Sequence, residues 1–186
     1  YWPQGEGGDL RMQNPYWIAY RNPRNTDKKR YMANVSIAFD ILPWLNVSGR
    51  AKVDNTNSIF TQKLYASSNT TITEGSTQGH YTEIRNTDEQ IYADVMVNIN
   101  KTFADNKFSL VANVGASIND TKSKELSYRG PIREVGIPNM FTVFDLDKEK
   151  SRPQKYGWQE QTQSIFASVE MGYKSMLYLT VTGRND

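Results

Sequence analysis

The chain has 186 residues, the length of one ordinary domain, and its 22 basic and 20 acidic side chains give a net charge of +2. This balance, with no basic stripe along the chain, excludes the charge footprint of a nucleic-acid-binding protein. There are no cysteines, which excludes disulfides and thiolate sites. No run approaches the roughly 18 apolar residues of a membrane helix, but the mean hydropathy of −0.67 is compatible with membrane strands, in which polar residues alternate with apolar ones.

Residues 1–30 are rich in Asn, Pro, Gly and charge, a composition typical of loops and turns. The sequence begins at Tyr1-Trp2-Pro3 without the basic and apolar segments of a signal peptide, so none is expected here. It ends at Asp186 inside a predicted strand. We therefore expect the sequence to be a piece of a longer protein.

Apolar side chains occupy every second position of residues 31–54. They run from Tyr31 to Ile41 and again from Leu45 to Val53, with small or polar residues between them. This period of two predicts strands with two unlike faces, and the short connection around Pro43 predicts a hairpin. Each arm has about the 9–11 residues that a tilted strand needs to cross a bilayer.

Two further hairpins are predicted at residues 88–119 and 161–184, and long, polar, irregular connections at residues 55–87 and 120–160. Short turns at one end of the strands and long loops at the other are typical of outer-membrane barrels. We predict one partial all-β domain over residues 1–186. It is an antiparallel up-and-down segment of a transmembrane β-barrel, with about six long strands in three hairpins, short periplasmic turns and long extracellular loops. The alternative is a soluble β-sandwich, which usually has shorter strands and loops of about 4–6 residues at both ends.

Aromatic residues recur beside the three short turns. They are Phe39, Trp44, Phe103, Phe108 and Tyr173. Because the same rim carries them in every hairpin, we predict that they form an interfacial aromatic girdle, although aromatics are also common in strands generally.

Charged side chains fall on the polar face of each predicted strand. They are Asp40, Arg50, Lys52, Asp94 and Glu170. A register slip of one residue would turn them toward lipid, at a cost of about 2–4 kcal/mol for Arg or Lys at the midplane.

Several short motifs resemble one family, in the same order along the chain. They are the run from Trp44 to Ala51, residues 93–101, residues 109–117, the loop Ile137-Pro138-Asn139-Met140-Phe141, and the ending from Phe166 to Asp186. Together they resemble the barrel of SusC/RagA-type TonB-dependent transporters over nearly the whole chain.

The resemblance implies an outer-membrane importer of oligosaccharides or peptides, driven by TonB and acting with a SusD-like surface lipoprotein. Such a transporter is a large barrel with an N-terminal plug, and six strands cannot close it. We therefore expect the plug and the TonB-binding segment to lie outside this sequence, and we expect no transport by this chain alone. The soluble alternative is a β-sandwich that binds carbohydrate.

No catalytic constellation is visible, so we do not expect an enzyme, and we expect no cofactor and no metal. The single histidine, His80, lies in a Gly-rich loop context without a second His or any Cys to complete a metal site. Asp145, Asp147 and Glu149 alternate in a loop, but they lack the glycine and terminal Glu of a calcium loop. A solvated charge run is the preferred interpretation.

The predicted long loops carry aromatic residues that could contact substrate or a lipoprotein partner. The candidates are Tyr128, Phe141, Phe144, Tyr156 and Trp158, with Tyr65 and Tyr81 nearby in the other loop. For any single one of them, packing of the loops on one another is the favoured interpretation. Lys28, Lys29 and Arg30 lie at the same rim, where they would meet lipopolysaccharide phosphates or simply water.

Overall fold

The structure, a computed structural model, describes residues 14–186, which form one short α-helix and six β-strands. In chain order these are α1 Pro15–Arg21, β1 Arg24–Leu42, β2 Leu45–Tyr65, β3 Gly79–Phe103, β4 Phe108–Pro131, β5 Gln154–Tyr173 and β6 Leu177–Asn185, with a 3₁₀ turn at Val143–Asp145 between β4 and β5. The strands lie in one sheet in the order β1-β2-β3-β4-β5-β6. Each strand therefore pairs with the strand that precedes it.

This sheet confirms the predicted all-β, up-and-down fold with six strands in three hairpins. The last hairpin has the antiparallel register Tyr173↔Leu177 to Ile165↔Asn185. Residues 14–186 form a single six-stranded sheet and not the two stacked sheets that the sandwich alternative required.

Two of the three short turns, β3–β4 and β5–β6, contain residues with left-handed backbone. Asp105 and Asn106 have φ of 52° and 64°, and Lys174 and Ser175 have φ of 50° and 55°. The amide of Met176 closes its turn by donating to the carbonyl of Tyr173 over 3.0 Å. Two successive positive φ values belong to type I′ turns, whose twist matches that of the flanking strands.

The strands are much longer than the hairpins predicted at residues 31–54, 88–119 and 161–184. β1 to β5 have 19, 21, 25, 24 and 20 residues, so parts of the predicted loops 1–30, 55–87 and 120–160 are strand. Those loop boundaries were wrong because the extensions carry polar residues on both faces and show no alternation. In these extensions, polar side chains on neighbouring strands contact each other, as in the 3.0 Å hydrogen bond from Thr87 Oγ1 to Asn57 Oδ1.

Residues 14–30, which were predicted as loop, contain the helix α1 and the start of β1. Asn14 caps α1 by accepting a 2.9 Å hydrogen bond from the Tyr16 amide, and Pro15 occupies the first helical turn. The basic cluster Lys28, Lys29 and Arg30 lies within β1 and not in a loop. Residues 1–13, also predicted as loop, lie outside the described part of the chain.

The chain divides into two compact units. The first comprises residues 14–29 with Thr56–Thr87 and Ser123–Gly157, and the second comprises Arg30–Asn55, Asp88–Lys122 and Trp158–Asp186. The first unit has a small apolar core made by Leu64, Tyr81, Ile132 and Leu146.

The second unit is a single layer in which the apolar rows are the exposed ones. Val35 and Ile165 are 60% and 67% exposed, whereas Asp94 and Ser164 are 8% and 3% exposed. This is the reverse of the burial expected for a water-soluble sheet. On β3 and β5 the apolar row is thus the more exposed of the two, whereas every residue of β1 and β6 is exposed.

The long connection between β4 and β5 is ordered by hydrogen bonds to the β2–β3 connection. Ile132 pairs with Leu146 in a bridge, and the Ile132 amide donates to the Gly79 carbonyl over 2.9 Å. The Glu134 carboxylate accepts from both the amide and the hydroxyl of Thr77, at 3.0 and 2.9 Å. The same Thr77 hydrogen bonds hold the pKa of Glu134 below its usual value. These two connections therefore fold as one body within the first unit.

Candidate functional site

Ion pairs join the polar rows of neighbouring strands in the second unit. Arg50 Nε lies 2.9 Å from Asp94 Oδ2, and the Asp94 side chain is almost completely buried. Arg30 Nε donates to Asp54 Oδ1 over 2.8 Å, and Lys52 lies 3.6 Å from the same carboxylate. A carboxylate held by basic partners on adjacent strands fixes the register of β1, β2 and β3 with their polar faces on one side.

Uncharged polar side chains continue this network near the short turns. Asn46 donates to Asp40 over 2.8 Å and accepts from Asn98 over 3.1 Å. Thr180 donates to Glu170 over 3.3 Å on the last hairpin. The charged residues that the sequence placed on polar faces therefore have polar neighbours there.

The five girdle candidates lie in or beside the short turns, and four of them form two clusters. Lys101 Nζ lies 4.6 Å from the ring centre of Trp44 and 5.3 Å from that of Phe103. The rings of Phe108 and Tyr173 pack at a centroid distance of 5.0 Å. Phe39 is exposed on β1. Aromatic rings beside lysines are typical of a membrane–water interface, and the girdle remains a prediction.

The five aromatic contact candidates do not form one surface. Tyr128 lies on β4, and Tyr156 and Trp158 lie on β5, so their predicted position in loops was wrong. Phe141 packs against Tyr65 and Tyr81 at centroid distances of 4.9 and 6.2 Å. Because Tyr65 lies on β2 and Tyr81 on β3, this contact packs the β4–β5 connection on strand ends and not on another loop.

Phe144 is the most exposed of these candidates, and its ring contacts the Arg133 guanidinium at 5.3 Å. Whether it or any other candidate contacts substrate or a partner stays a prediction.

The alternating acidic residues of the second long connection have structural partners. Asp145 accepts hydrogen bonds from Thr142 Oγ1 at 2.6 Å and from Arg133 at 2.8 Å, and these two contacts hold its pKa below the usual value. Asp147 Oδ1 accepts from the Glu149 amide over 2.8 Å. Within residues 14–186, no group of three or more His, Cys, Asp or Glu side chains is placed to bind one metal ion.

A large open cavity in the first unit is the strongest candidate site. We call it the strand-end cavity; its volume is about 1280 Å³, and side chains of α1, of β1 to β5 and of both long connections line it. Its basic side chains are Arg24, Arg129, Lys150 and Arg152, and its carboxylates are Glu74 and Glu125. Four cations against two anions give the cavity a net positive charge. Apolar side chains such as Ile18, Phe60 and Ile84 line the rest of it.

His80 borders this cavity at the start of β3, and its ring is 3% exposed. Its Nε2 lies 3.4 Å from Glu74 Oε1, and Arg129 Nη2 approaches the same oxygen at 3.5 Å. Neither imidazole nitrogen makes a hydrogen bond to any described residue. Burial, and to a lesser extent Arg129, lowers the pKa of His80 against the opposing influence of Glu74, so the ring is neutral at neutral pH.

The sequence did not reveal this cavity, because its charged residues come from four separate segments of the chain. A signal for His80 was nonetheless present in the preceding glycine. Gly79 has φ of 117°, and a Cβ there would lie 2.6 Å from the Leu64 carbonyl. The Gly-His pair therefore marks a tight strand entry and not the loop that was predicted.

Comparison with known proteins gives matches by structure only. No family model and no curated protein matches the sequence. One neighbour is a chain of the RagAB peptide importer in its open-open state, with a TM-score of 0.75, 16% identity, and coverage of 94% of this chain and 19% of that one. The RagAB peptide transporter matches with a TM-score of 0.78 and 16% identity, over 93% of this chain and 19% of that one. The importer in its closed-closed state matches with a TM-score of 0.74 and 17% identity, over 94% of this chain and 19% of that one.

The fold is that of a segment of a RagA-like β-barrel. The chain spans about a fifth of the length of the structures that it matches. All three neighbours are transporters by description. Within residues 14–186 there is no helix with the length and apolar character needed to cross a membrane.

Proposed function

We propose that this chain is part of the barrel wall of a TonB-dependent outer-membrane importer. Its short turns would face the periplasm and its long connections the cell exterior. The proposal extends the RagA-like fold to a function, and the likeness to transporters at 16–17% identity supports it.

The observation that carries the proposal is the inverted burial of the second unit. Val95 on β3 and Ile165 on β5 are 50% and 67% exposed, whereas the adjacent Asp94 and Ser164 are almost completely buried. The apolar rows of β1 and β6 are exposed as well. Contiguous apolar surface of this extent is rare on proteins that face water. Against lipid the same rows are favourably placed, and the polar row with the buried Asp94 carboxylate and its partner Arg50 would then face the interior of a barrel.

A peptide is the substrate class that we favour over an oligosaccharide. The neighbours in the RagAB structures are described as a peptide importer or transporter. A SusD-like lipoprotein would act at the long connections, and TonB would act through parts of the protein beyond this segment. Both partners belong to the proposal.

Two adjacent positions of β3 test the membrane assignment. Val97→Arg would place a guanidinium in lipid at a cost of about 2–4 kcal/mol near the midplane, whereas Asn98→Arg would turn it to the polar side. We expect the first variant of the intact protein to fail in outer-membrane assembly and the second to assemble. Assembly is measured by fractionation of cells and by heat-modifiable mobility of the folded barrel.

Equal assembly of the two variants would contradict the membrane assignment. Asn98 donates a hydrogen bond to Asn46, so Asn98→Ala serves as the control for loss of that contact. If Asn98→Ala and Asn98→Arg both fail to assemble, β3 tolerates no change at this position. The comparison is then repeated two residues earlier on β3, with Val95→Arg for the apolar row and Met96→Arg for the polar row.

A further inference from the structure

The strand-end cavity combines a positive charge with a large volume. Among the residues that the structure describes, no carboxylate lies within 4 Å of Lys150 Nζ or of the Arg152 guanidinium. Both side chains are exposed to the cavity side of the unit and line its wall. These two cations are therefore available to a ligand.

The carboxylates of the cavity do not cancel this charge. Glu74 is already shared between His80 and Arg129, at 3.4 and 3.5 Å. The other carboxylate, Glu125, offsets only one of the three remaining positive charges, which are Arg24, Lys150 and Arg152. A concave surface of one net sign raises the local concentration of ligands of the opposite sign.

His80 engages Glu74 from the wall of the cavity. Its ring is almost fully buried, and its Nε2 lies 3.4 Å from Glu74 Oε1. Because Glu74 is held by His80 and Arg129, it does not compensate the charge of Lys150 and Arg152.

The geometry points to an acidic peptide as the ligand of the strand-end cavity, with Lys150 and Arg152 binding its carboxylates. This inference rests on the proposed importer function and narrows its peptide substrate to acidic peptides. The volume of about 1280 Å³ exceeds the usual pocket of a small molecule and accommodates several peptide residues. The lining offers aliphatic side chains and a single phenyl ring, Phe60, which favours a peptide over a sugar chain that stacks on several aromatic rings.

Two matched peptides test the inference with the intact protein in detergent. One is a short, terminally blocked peptide with two aspartates among alanines and leucines, and the other has asparagine in place of both aspartates. We expect the acidic peptide to bind about tenfold or more tightly by calorimetry at low salt, because each charge-assisted hydrogen bond contributes roughly that factor. The preference should shrink as salt is raised.

Charge-removing variants locate the effect. Lys150→Gln combined with Arg152→Gln should bring the two peptides to nearly equal affinity while leaving the asparagine peptide unchanged. Lys155→Gln removes the same charge from β5 at a side chain that does not line the cavity, and it should keep the preference.

Equal affinity of the two peptides for the unaltered protein, or an equal loss of preference in Lys155→Gln, would overturn the inference. The salt series on the unaltered protein decides the question even if the double variant fails to fold. The outcome is separate from the membrane assignment. A protein that passes the Val97→Arg and Asn98→Arg comparison but does not distinguish the peptides keeps the proposed function and loses the preference for acidic peptides.

Discussion

The ring of Phe166 on β5 lies against Gly115 on β4, so closely that a Cβ at Gly115 would be 2.6 Å from two ring carbons. Phe166 is an aromatic residue in a row otherwise made of small and polar side chains. The glycine supplies the space that the ring fills, and the Val95 carbonyl closes the same space from β3, at 2.9 Å from the Cβ position. Glycine is therefore required here for close approach and not for an unusual φ.

Gly115→Ala should destabilise the intact protein by about 1–3 kcal/mol, the usual cost of overpacking a close contact. The midpoint of denaturant unfolding in detergent measures the loss. Gly49→Ala is the matched control, because its Cβ would meet only the Asp94 carbonyl at an ordinary 3.6 Å. Phe166→Leu added to Gly115→Ala should recover part of the loss, since the two positions are in contact. A Gly49→Ala variant as unstable as Gly115→Ala would show that the ring contact is not the cause.

The Arg50–Asp94 pair makes a different prediction, because only its carboxylate is buried. Arg50→Gln leaves the Asp94 carboxylate without its cation and should cost about 1–3 kcal/mol or more. Adding Asp94→Asn removes the buried charge, so the double variant should be more stable than Arg50→Gln alone. The same unfolding midpoint measures both. Simple addition of two separate losses would contradict a direct interaction across β2 and β3.

The hairpins could be predicted from the sequence because one face of each strand is restricted to apolar residues. From Tyr31 to Ile41 every odd position is apolar, and the structure leaves that row exposed. The outer part of β2, from Thr56 to Tyr65, has no such restriction and was predicted as loop. This part of β2 is a strand because it pairs with β3, and such pairing cannot be predicted from the local sequence.

The strand-end cavity could not be predicted for a related reason. Arg24, Glu74, Arg129 and Lys150 meet only because several strands are held in register. No spacing in the sequence relates them. Phe141 lies in the β4–β5 connection, but its ring packs on Tyr65 and Tyr81, which strand pairing places on β2 and β3 and which were predicted as loop.

Phe141 should be needed for the order of the connection between β4 and β5. Its ring packs on Tyr65 and Tyr81, and Lys63 Nζ lies 5.5 Å from its centre. Aromatic pairs contribute about 0.5–1.5 kcal/mol each beyond burial, so Phe141→Ala should raise the exchange rate of amides 132–147 at least about fivefold. Hydrogen exchange of the intact protein measures this local opening.

Phe144→Ala is the control for that experiment. Phe144 lies close by in the chain, but its ring is 72% exposed and touches only the Arg133 guanidinium among aromatic and cationic partners in the described chain. We expect little change in exchange for this variant. Equal acceleration by Phe141→Ala and Phe144→Ala would mean that the packing on Tyr65 and Tyr81 does not hold the segment.

His80 should make the first unit less stable as the pH falls below neutrality. Its pKa in the folded protein is lowered, chiefly by burial, so the unfolded chain binds a proton more readily than the folded one. By linkage, the stability is fully present above the unfolded pKa of about 6.5, and it is lost as the pH falls toward and through the lowered folded value. The loss cannot exceed about 1.4 kcal/mol per pH unit for one proton.

Amide exchange of residues 66–80, corrected for its intrinsic pH dependence, measures this loss between pH 7 and pH 5. His80→Gln should flatten the dependence, whatever it does to the stability at pH 7, because the chain has no other histidine. Glu134 and Asp145 do not confuse the result, since their lowered pKa values move their own titration below this range. An unchanged slope in His80→Gln would assign the acid sensitivity to another group. A slope of opposite sign in the unaltered protein would mean that Glu74, 3.4 Å away, outweighs burial and that the histidine is protonated in the folded state.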